Sequence, residues 1–251
     1  LIRLMLRGLA SGAPVPLSAI AHPQIGSLRG RYLDRFADQP RSGDLRAFLE
    51  RLRDVQTMAR AGGDVFLKTH AAAIRFSGMD YADWSATSSF IYVIRDPREV
   101  ALSYAAHMGL DLAESVTRIN AGDTALGAQD AFFEPLTTWS NHVKSWLSVP
   151  KTISRLVLRY EDVTRDRRKA VATLNAFYAF GRPQAVVDAV ADALSFEALQ
   201  EEERRDGFVE AVRGRPFFRA GERESWRREA PALMAPIAAA NAEIMKTFNY
   251  V

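Results

Sequence analysis

The chain contains no cysteine, so disulfides and thiolate metal sites are excluded and a reducing compartment fits. Lysine is scarce: five lysines stand in a Lys+Arg total of 33, and the remainder is arginine. Arginine's planar fork suits phosphate and carboxylate recognition, although the composition as a whole fits a GC-rich genome, and particular arginines have to argue for themselves. Charge of one sign is also scarce, with a net +3 that speaks against a broad nucleic-acid footprint. No apolar run approaches the length that crosses a bilayer. The longest weakly polar stretch, around Ala230–Ala240, is broken by Pro231 and Pro236. No charged-then-apolar leader is visible. The sequence also offers no convincing metal cluster. These absences predict a soluble, cytoplasmic, metal-free protein that binds neither membrane nor nucleic acid.

What is present is ordinary for a globular protein: 251 residues, 48% hydrophobic and 25% charged. Leu1–Ala10 carries an apolar stripe at helical spacing but opens without a capping residue or an acidic first turn, so the spacing predicts that the helix start and whatever feeds it lie upstream. Ser11–Gly43 shows little periodicity and reads as a long loop. Asp44–Arg60 is an amphipathic helix, with Leu45, Phe48, Leu49, Leu52, Val55 and Met58 on one side, closed by Gly62 and Gly63. Asp64–Lys68 and Ser89–Ile94 read as strands, and Pro97 opens a helix to Met108. Helices are expected at Leu112–Asn120 and Leu136–Leu147, with a glycine-rich loop at Ala121–Gln129 between them. A strand follows at Leu156–Arg159. Thr164 or Asp166 then caps a helix to Phe180, and further helices cover Pro183–Leu194 and Phe196–Glu203. An irregular Asp206–Arg227 precedes a closing helix at Ala232–Phe248. Short buried strands alternating with longer helices predict α/β architecture around a central parallel sheet in a single domain.

In open parallel sheets, ligands bind at the carboxyl ends of the strands. Lys68, Thr69 and His70 follow the first predicted strand, Arg95 and Asp96 the second, and Tyr160, Glu161 and Asp162 the third. Together they describe a cleft with cationic groups, one base near neutral pH and an aromatic platform, which suits an anionic nucleotide and a proton-losing acceptor. Each also has a plain structural reading. Arg95 could pair with Asp96 or Glu99, Ser103 could bond its own backbone, and Tyr160 and Phe196 could be core aromatics. Trp139, His142 and Trp146 share one helical face and read mainly as packing, with His142 a weak candidate for acceptor contact. His107 and His22 read as structural or surface residues.

Lys68-Thr69-His70 resembles the lysine–threonine–histidine motif of the cytosolic-type sulfotransferases, in which the histidine is the general base. Ile91–Tyr104 (IYVIRDPREVALSY) resembles their second nucleotide-binding segment, where an arginine and a serine eight residues on hold a 3′-phosphate; Arg95 and Ser103 have that spacing. Leu158–Val163 (LRYEDV) is similar to the segment whose tyrosine lies beside the adenine, which maps onto Tyr160. Ser195-Phe196-Glu197 resembles the element whose ring contacts the adenine. Phe217–Trp226 (FFRAGERESW) resembles the late loop whose arginine and glycine reach the 3′-phosphate, mapping onto Arg219 and Gly221. Ala220 departs from the lysine usual after that arginine.

The resemblance implies a P-loop-type nucleotide-binding fold over residues 1–251. It implies 3′-phosphoadenosine 5′-phosphosulfate (PAPS) as donor, 3′-phosphoadenosine 5′-phosphate (PAP) as product, and a small-molecule or natural-product acceptor bearing a hydroxyl or amine. Lys68 would stabilise charge on the sulfuryl and bridging oxygens, and His70 would take the acceptor's proton. The family's phosphate loop is not found, and LIRLMLRGL resembles the helix that follows it, so the loop is expected ahead of Leu1. Ser11–Gly43 and Ala121–Pro135 are expected to shape the acceptor pocket. The sequence leaves the oligomeric state open, a homodimer included. A nucleotide-dependent kinase would need Mg²⁺-binding carboxylates that only Asp96 and Asp162 offer at strand ends, and a degenerate nucleotide-binding scaffold is the non-enzymatic rival.

Overall fold

In a computed structural model, the structure describes residues 1–21, 25–36, 45–61, 65–76, 78–123, 125–126, 132, 134–211, 216–218 and 224–251. In chain order these form helix α1 (Ile2–Ser11), a 3₁₀ turn at Leu17–Ala21, strand β1 (Ile25–Ser27), α2 (Leu28–Phe36), α3 (Leu45–Ala61) and β2 (Phe66–Lys68). Strands β3 (Arg75–Phe76), β4 (Met79–Asp80) and β5 (Ser89–Ile94) follow, then α4 (Pro97–Met108), α5 (Leu112–Asn120), β6 (Ala125–Leu126), β7 (Glu134–Pro135), α6 (Trp139–Leu147) and β8 (Ser154–Arg159). Helices α7 (Tyr160–Arg165), α8 (Arg167–Phe177), α9 (Gln184–Asp192), α10 (Phe196–Asp206), α11 (Trp226–Glu229) and α12 (Ala235–Thr247) complete the chain.

The longer pairings are parallel, as an α/β fold requires. β5 lies beside β8 from Ser89↔Ser154 to Ile94↔Arg159, and β1 lies beside β2 from Ile25↔Phe66 to Ser27↔Lys68. Among the described residues these are two separate pairs and not one continuous ladder. A shared core joins them: Phe66 of β2, Ile91 of β5 and Leu156 and Leu158 of β8 pack against Leu4, Met5, Leu9, Val171, Leu174 and Val190. The approach of α1 to α9 needs Gly8, because a Cβ there would lie 2.8 Å from both Val190 methyls. Gly12, at φ +80°, ends α1 and donates its N–H to the Gly8 carbonyl.

The stretch 11–43 is not the long loop its weak periodicity predicts. Three residues of β1 are too few to show alternation. In α2 the apolar series Leu28, Tyr32, Phe36 does have helical spacing, but Gly30 and four charged residues dilute it. Tyr32 is buried and meets Phe48, Phe132 and Phe36 with ring centroids 5.0–5.3 Å away. The helix expected from Leu136 begins at Trp139, because the Thr138 hydroxyl accepts from the Asn141 N–H and caps it. Of the two caps expected for the helix toward Phe180, Asp166 is the one used: its side chain accepts from the Lys169 N–H and opens α8, while Thr164 lies within the short α7 before it. No described helix is long and apolar enough to cross a membrane.

Candidate active site

Three strand ends bear the polar residues singled out from the sequence. Lys68 is the last residue of β2, Arg95 follows β5, and Tyr160 follows β8 as the first residue of α7. The Arg95 guanidinium lies 4.5 Å from the Tyr160 ring centroid, a cation–π contact that joins the β5 and β8 ends. Arg95 also reaches Glu99 at 3.3 Å. That carboxylate is buried and accepts from the Ser225 hydroxyl and the Trp226 N–H, so α11 is tied to α4. The alternative of an Arg95–Glu99 pair is therefore realised alongside the aromatic contact. Ser103 is half-buried two turns along α4, and no described residue hydrogen-bonds its hydroxyl. Phe196 opens α10 and meets Phe218 edge-on at 6.4 Å. Arg219, Gly221 and Ala220 lie outside the described residues, as does His22.

The β2 end is densely bonded. The Glu134 carboxylate, buried in β7, accepts from the Thr69 hydroxyl at 2.7 Å and from the His70 backbone N–H at 2.6 Å, both on Oε1. The Thr69 hydroxyl oxygen in turn accepts from the Ala71 N–H at 3.1 Å. The His70 carbonyl lies 3.0 Å from His142 Nε2, and His142 Nδ1 lies 2.9 Å from the Tyr92 hydroxyl. A carbonyl can only accept, so Nε2 carries the proton and Nδ1 accepts from Tyr92. Trp146 Nε1 donates to the Ala71 carbonyl and Ser145 Oγ accepts from the Ala73 N–H, extending the grip to the following residues. Neither ring nitrogen of His70 is hydrogen-bonded by a described residue, and the residue is exposed.

Protein mass around the His70 ring and the Lys68 charge lower its pKa below 6.5; Glu134 and Glu210 oppose this and His142 adds to it. The neutral, proton-accepting form therefore prevails at neutral pH. Burial also lowers His142, which keeps the tautomer inferred above, and it lowers His107, whose ring stands edge-on to Phe217 at 6.2 Å. Lys68 Nζ contacts Glu210 at 3.0 Å, and Arg3 shares the same carboxylate oxygen. Burial works to raise the Glu210 pKa, but the charges of Lys68 and Arg3 outweigh it and hold the group below its ordinary value.

Sequence reading missed Glu134, Glu210 and Tyr92 and treated His142 mainly as packing. The two glutamates sit in short or irregular segments where no periodicity marks an inward side chain. Tyr92 lies inside a strand, where an aromatic is expected as core. The i, i+3 and i+7 spacing of Trp139, His142 and Trp146 was a signal, since it puts a histidine among indoles on one face.

His70, His107 and His142 have folded pKa values below that of the free side chain, so the unfolded chain binds protons first as pH falls. Stability should therefore decline from about pH 6.5 downward and level off only below the folded values. A thermal series from pH 8 to 5 should show Tm flat at first and then falling. In His142→Gln the fall should be shallower; an unchanged slope would mean that His142 does not contribute.

Among the described residues no group of three or more His, Cys, Asp or Glu side chains could hold a metal ion. The chain resembles known proteins in three ways. A profile of the sulfotransferase domain matches residues 50–246. Sulfotransferase 1C2 of Rattus norvegicus is 25% identical over 151 residues, covering 57% of this chain and 50% of the relative. The amine sulfotransferase of Oryctolagus cuniculus is 22% identical over 116 residues, covering 45% and 37% respectively. The chain thus spans about half or less of the length of these curated relatives. Among solved structures, mouse sulfotransferase SULT7A1 complexed with PAP has a TM-score of 0.57 at 16% identity, covering 96% of this chain and 88% of that one. A retinol dehydratase in complex with androsterone and inactive cofactor PAP has a TM-score of 0.58 at 18% identity, covering 97% and 77%. With the sulfotransferase domain matched over most of this chain and the same fold in both solved neighbours, this chain belongs to the sulfotransferase family.

Proposed function

We propose that the protein transfers the sulfuryl group of PAPS to a hydroxyl or amine of a small-molecule acceptor and releases PAP, in the cytoplasm and without a metal. The observation that carries this is His70: a histidine whose ring nitrogens are hydrogen-bonded by no described residue and whose pKa is depressed, two residues beyond Lys68 at a strand end. As the acceptor oxygen or nitrogen attacks sulfur, its proton passes to His70 and the bond from sulfur to the bridging oxygen breaks. Lys68 places a point charge where negative charge accumulates on the leaving oxygens, in the manner of phosphoryl transfer. Glu210 now holds that ammonium, so an anionic donor group must take its place. One domain over residues 1–251 belongs to the same proposal.

Incubating the intact protein with PAPS and a panel of phenols, aliphatic alcohols and amines should release PAP with at least one of them. Absence of PAP above the blank with every acceptor, from protein shown to bind the donor, overturns the assignment.

The 3′-phosphate is assigned to Arg95 with Ser103 and to Arg219 with Gly221. Removing either arginine should weaken PAP by roughly 2 kcal/mol, the scale of a lost charge-assisted hydrogen bond. A nucleotide without the 3′-phosphate should be unaffected. Calorimetry with both ligands on wild type, Arg95→Ala and Arg219→Ala decides this, and equal losses for the two nucleotides would remove the assignment. For Arg95, the Glu99 contact must be shared or broken as phosphate arrives.

A further inference from the structure

The densest bonding near the proposed base is to its backbone. The His70 N–H donates to Glu134 Oε1 and its carbonyl accepts from His142 Nε2, at 2.6 Å and 3.0 Å. The two partners come from β7 and α6, more than sixty residues away in sequence. Each is itself fixed. Glu134 is buried, and its Oε1 also receives the Thr69 hydroxyl. His142 is oriented by the Tyr92 hydroxyl from β5 and stacks on the Tyr92 ring, with centroids 5.8 Å apart. The residue that would take the proton is thus held at both ends of its own main chain by side chains of two other elements, while no described residue hydrogen-bonds its ring nitrogens.

We propose that Glu134 and His142 are positioning residues for His70. By fixing the His70 backbone from opposite sides they restrict where its imidazole can stand relative to the acceptor. This rests on His70 being the base, as above. A general base must lie within hydrogen-bond reach of the proton it takes, and misplacement by about 1 Å can cost on the order of 100-fold in rate. The geometry also gives the buried Glu134 carboxylate a use: no cation among the described residues pairs with it, and two donors, the Thr69 hydroxyl and the His70 N–H, converge on its Oε1. Besides Glu134 and His142, the ionisable groups acting on His70 are Lys68 and Glu210.

The test uses Glu134→Ala, Glu134→Gln and His142→Ala in the intact protein, with steady-state kinetics and amide hydrogen exchange. Alanine at either position should lower kcat on the order of 10- to 100-fold with the KM for PAPS nearly constant, and the His70 amide should exchange faster in Glu134→Ala. Glutamine retains an accepting oxygen, so Glu134→Gln should recover kcat to within about fivefold of wild type and keep the amide protected. Its acidic limb should shift to lower pH, because a negative charge that favours the protonated ring is gone. If Glu134→Ala does not fold, Glu134→Gln and His142→Ala carry the experiment alone. Unchanged kcat in His142→Ala, or a pH limb in Glu134→Gln that coincides with wild type, overturns the proposal. Failure of the functional reading looks different: wild type and His70→Ala would turn over equally, and the His70 amide would still be judged by exchange. An amide as fast in wild type as in Glu134→Ala would then reject the grip itself.

Discussion

Replacing His70 with alanine should remove most sulfuryl transfer from the intact protein, a loss of about 10²- to 10⁴-fold in kcat, the range expected for a general base. PAP binding should scarcely change, because the cationic contacts assigned to the nucleotide, Lys68 and Arg95, come from other side chains. The expected loss is large because no described residue hydrogen-bonds the His70 ring nitrogens, so there is no bonded neighbour in place to take over its proton. His142 is close, but its Nε2 proton is committed to the His70 carbonyl and its Nδ1 to Tyr92. In wild type the rate should be level at neutral pH and fall as pH drops through the His70 pKa, which the surrounding protein mass and Lys68 place below 6.5. That acidic limb should vanish from whatever activity His70→Ala retains. A mutant that turns over a hydroxyl acceptor at near the wild-type rate would end the assignment.

Arg98→Ala should lower the stability of the fold by about 3–5 kcal/mol, the loss expected when one partner of a buried ion pair is removed. Arg98 is 7% exposed and Asp96 6%. The guanidinium bonds the Asp96 carboxylate at 2.7 and 2.9 Å, donates to the Tyr250 carbonyl at 2.5 Å, and lies 3.9 Å from the Trp226 ring centroid. Alanine therefore strands a carboxylate and a carbonyl at once and opens space beneath an indole. The same Asp96 carboxylate caps α4 through the Arg98 N–H at 2.9 Å, so the defect lies one residue from Arg95. Arg98→Lys should recover only part of the loss, since an ammonium cannot reproduce the fork. Urea titration should show a lower midpoint at unchanged slope; a shift corresponding to less than about 1 kcal/mol would place this cluster among weak surface pairs.

Strand ends were legible in the sequence because a strand-then-polar pattern is local. Ser89–Ile94 alternates little, is rich in β-formers and is followed by Arg95-Asp96-Pro97, so both the strand and the helix after it could be bounded to the residue. Lys68, His70, Arg95 and Tyr160 were found by the same rule. The groups that grip them were not. Glu134 acquires its role only when β7 returns to the β2 end, and Glu210 only when the segment after α10 folds back onto Lys68 and Arg3. Neither return leaves a mark in neighbouring residues. The β1 and α2 elements were lost for another reason: a strand of three residues is too short to alternate, and in α2 Gly30 and four charged residues dilute the helical spacing.

The docking of α1 onto α8 and α9 bears on how the protein emerges during synthesis. Leu4, Met5, Leu6 and Leu9 are all buried, and the partners that cover them include Val171, Leu174, Val187 and Val190. At translation rates of about 5–20 residues per second, the first helix waits roughly 10–40 s for those partners to be made. Throughout that interval its apolar stripe is exposed on a nascent chain, a surface suited to capture by a holding chaperone or to self-association. Polar substitutions on the stripe should ease that hazard only by removing the contacts on which the finished core depends.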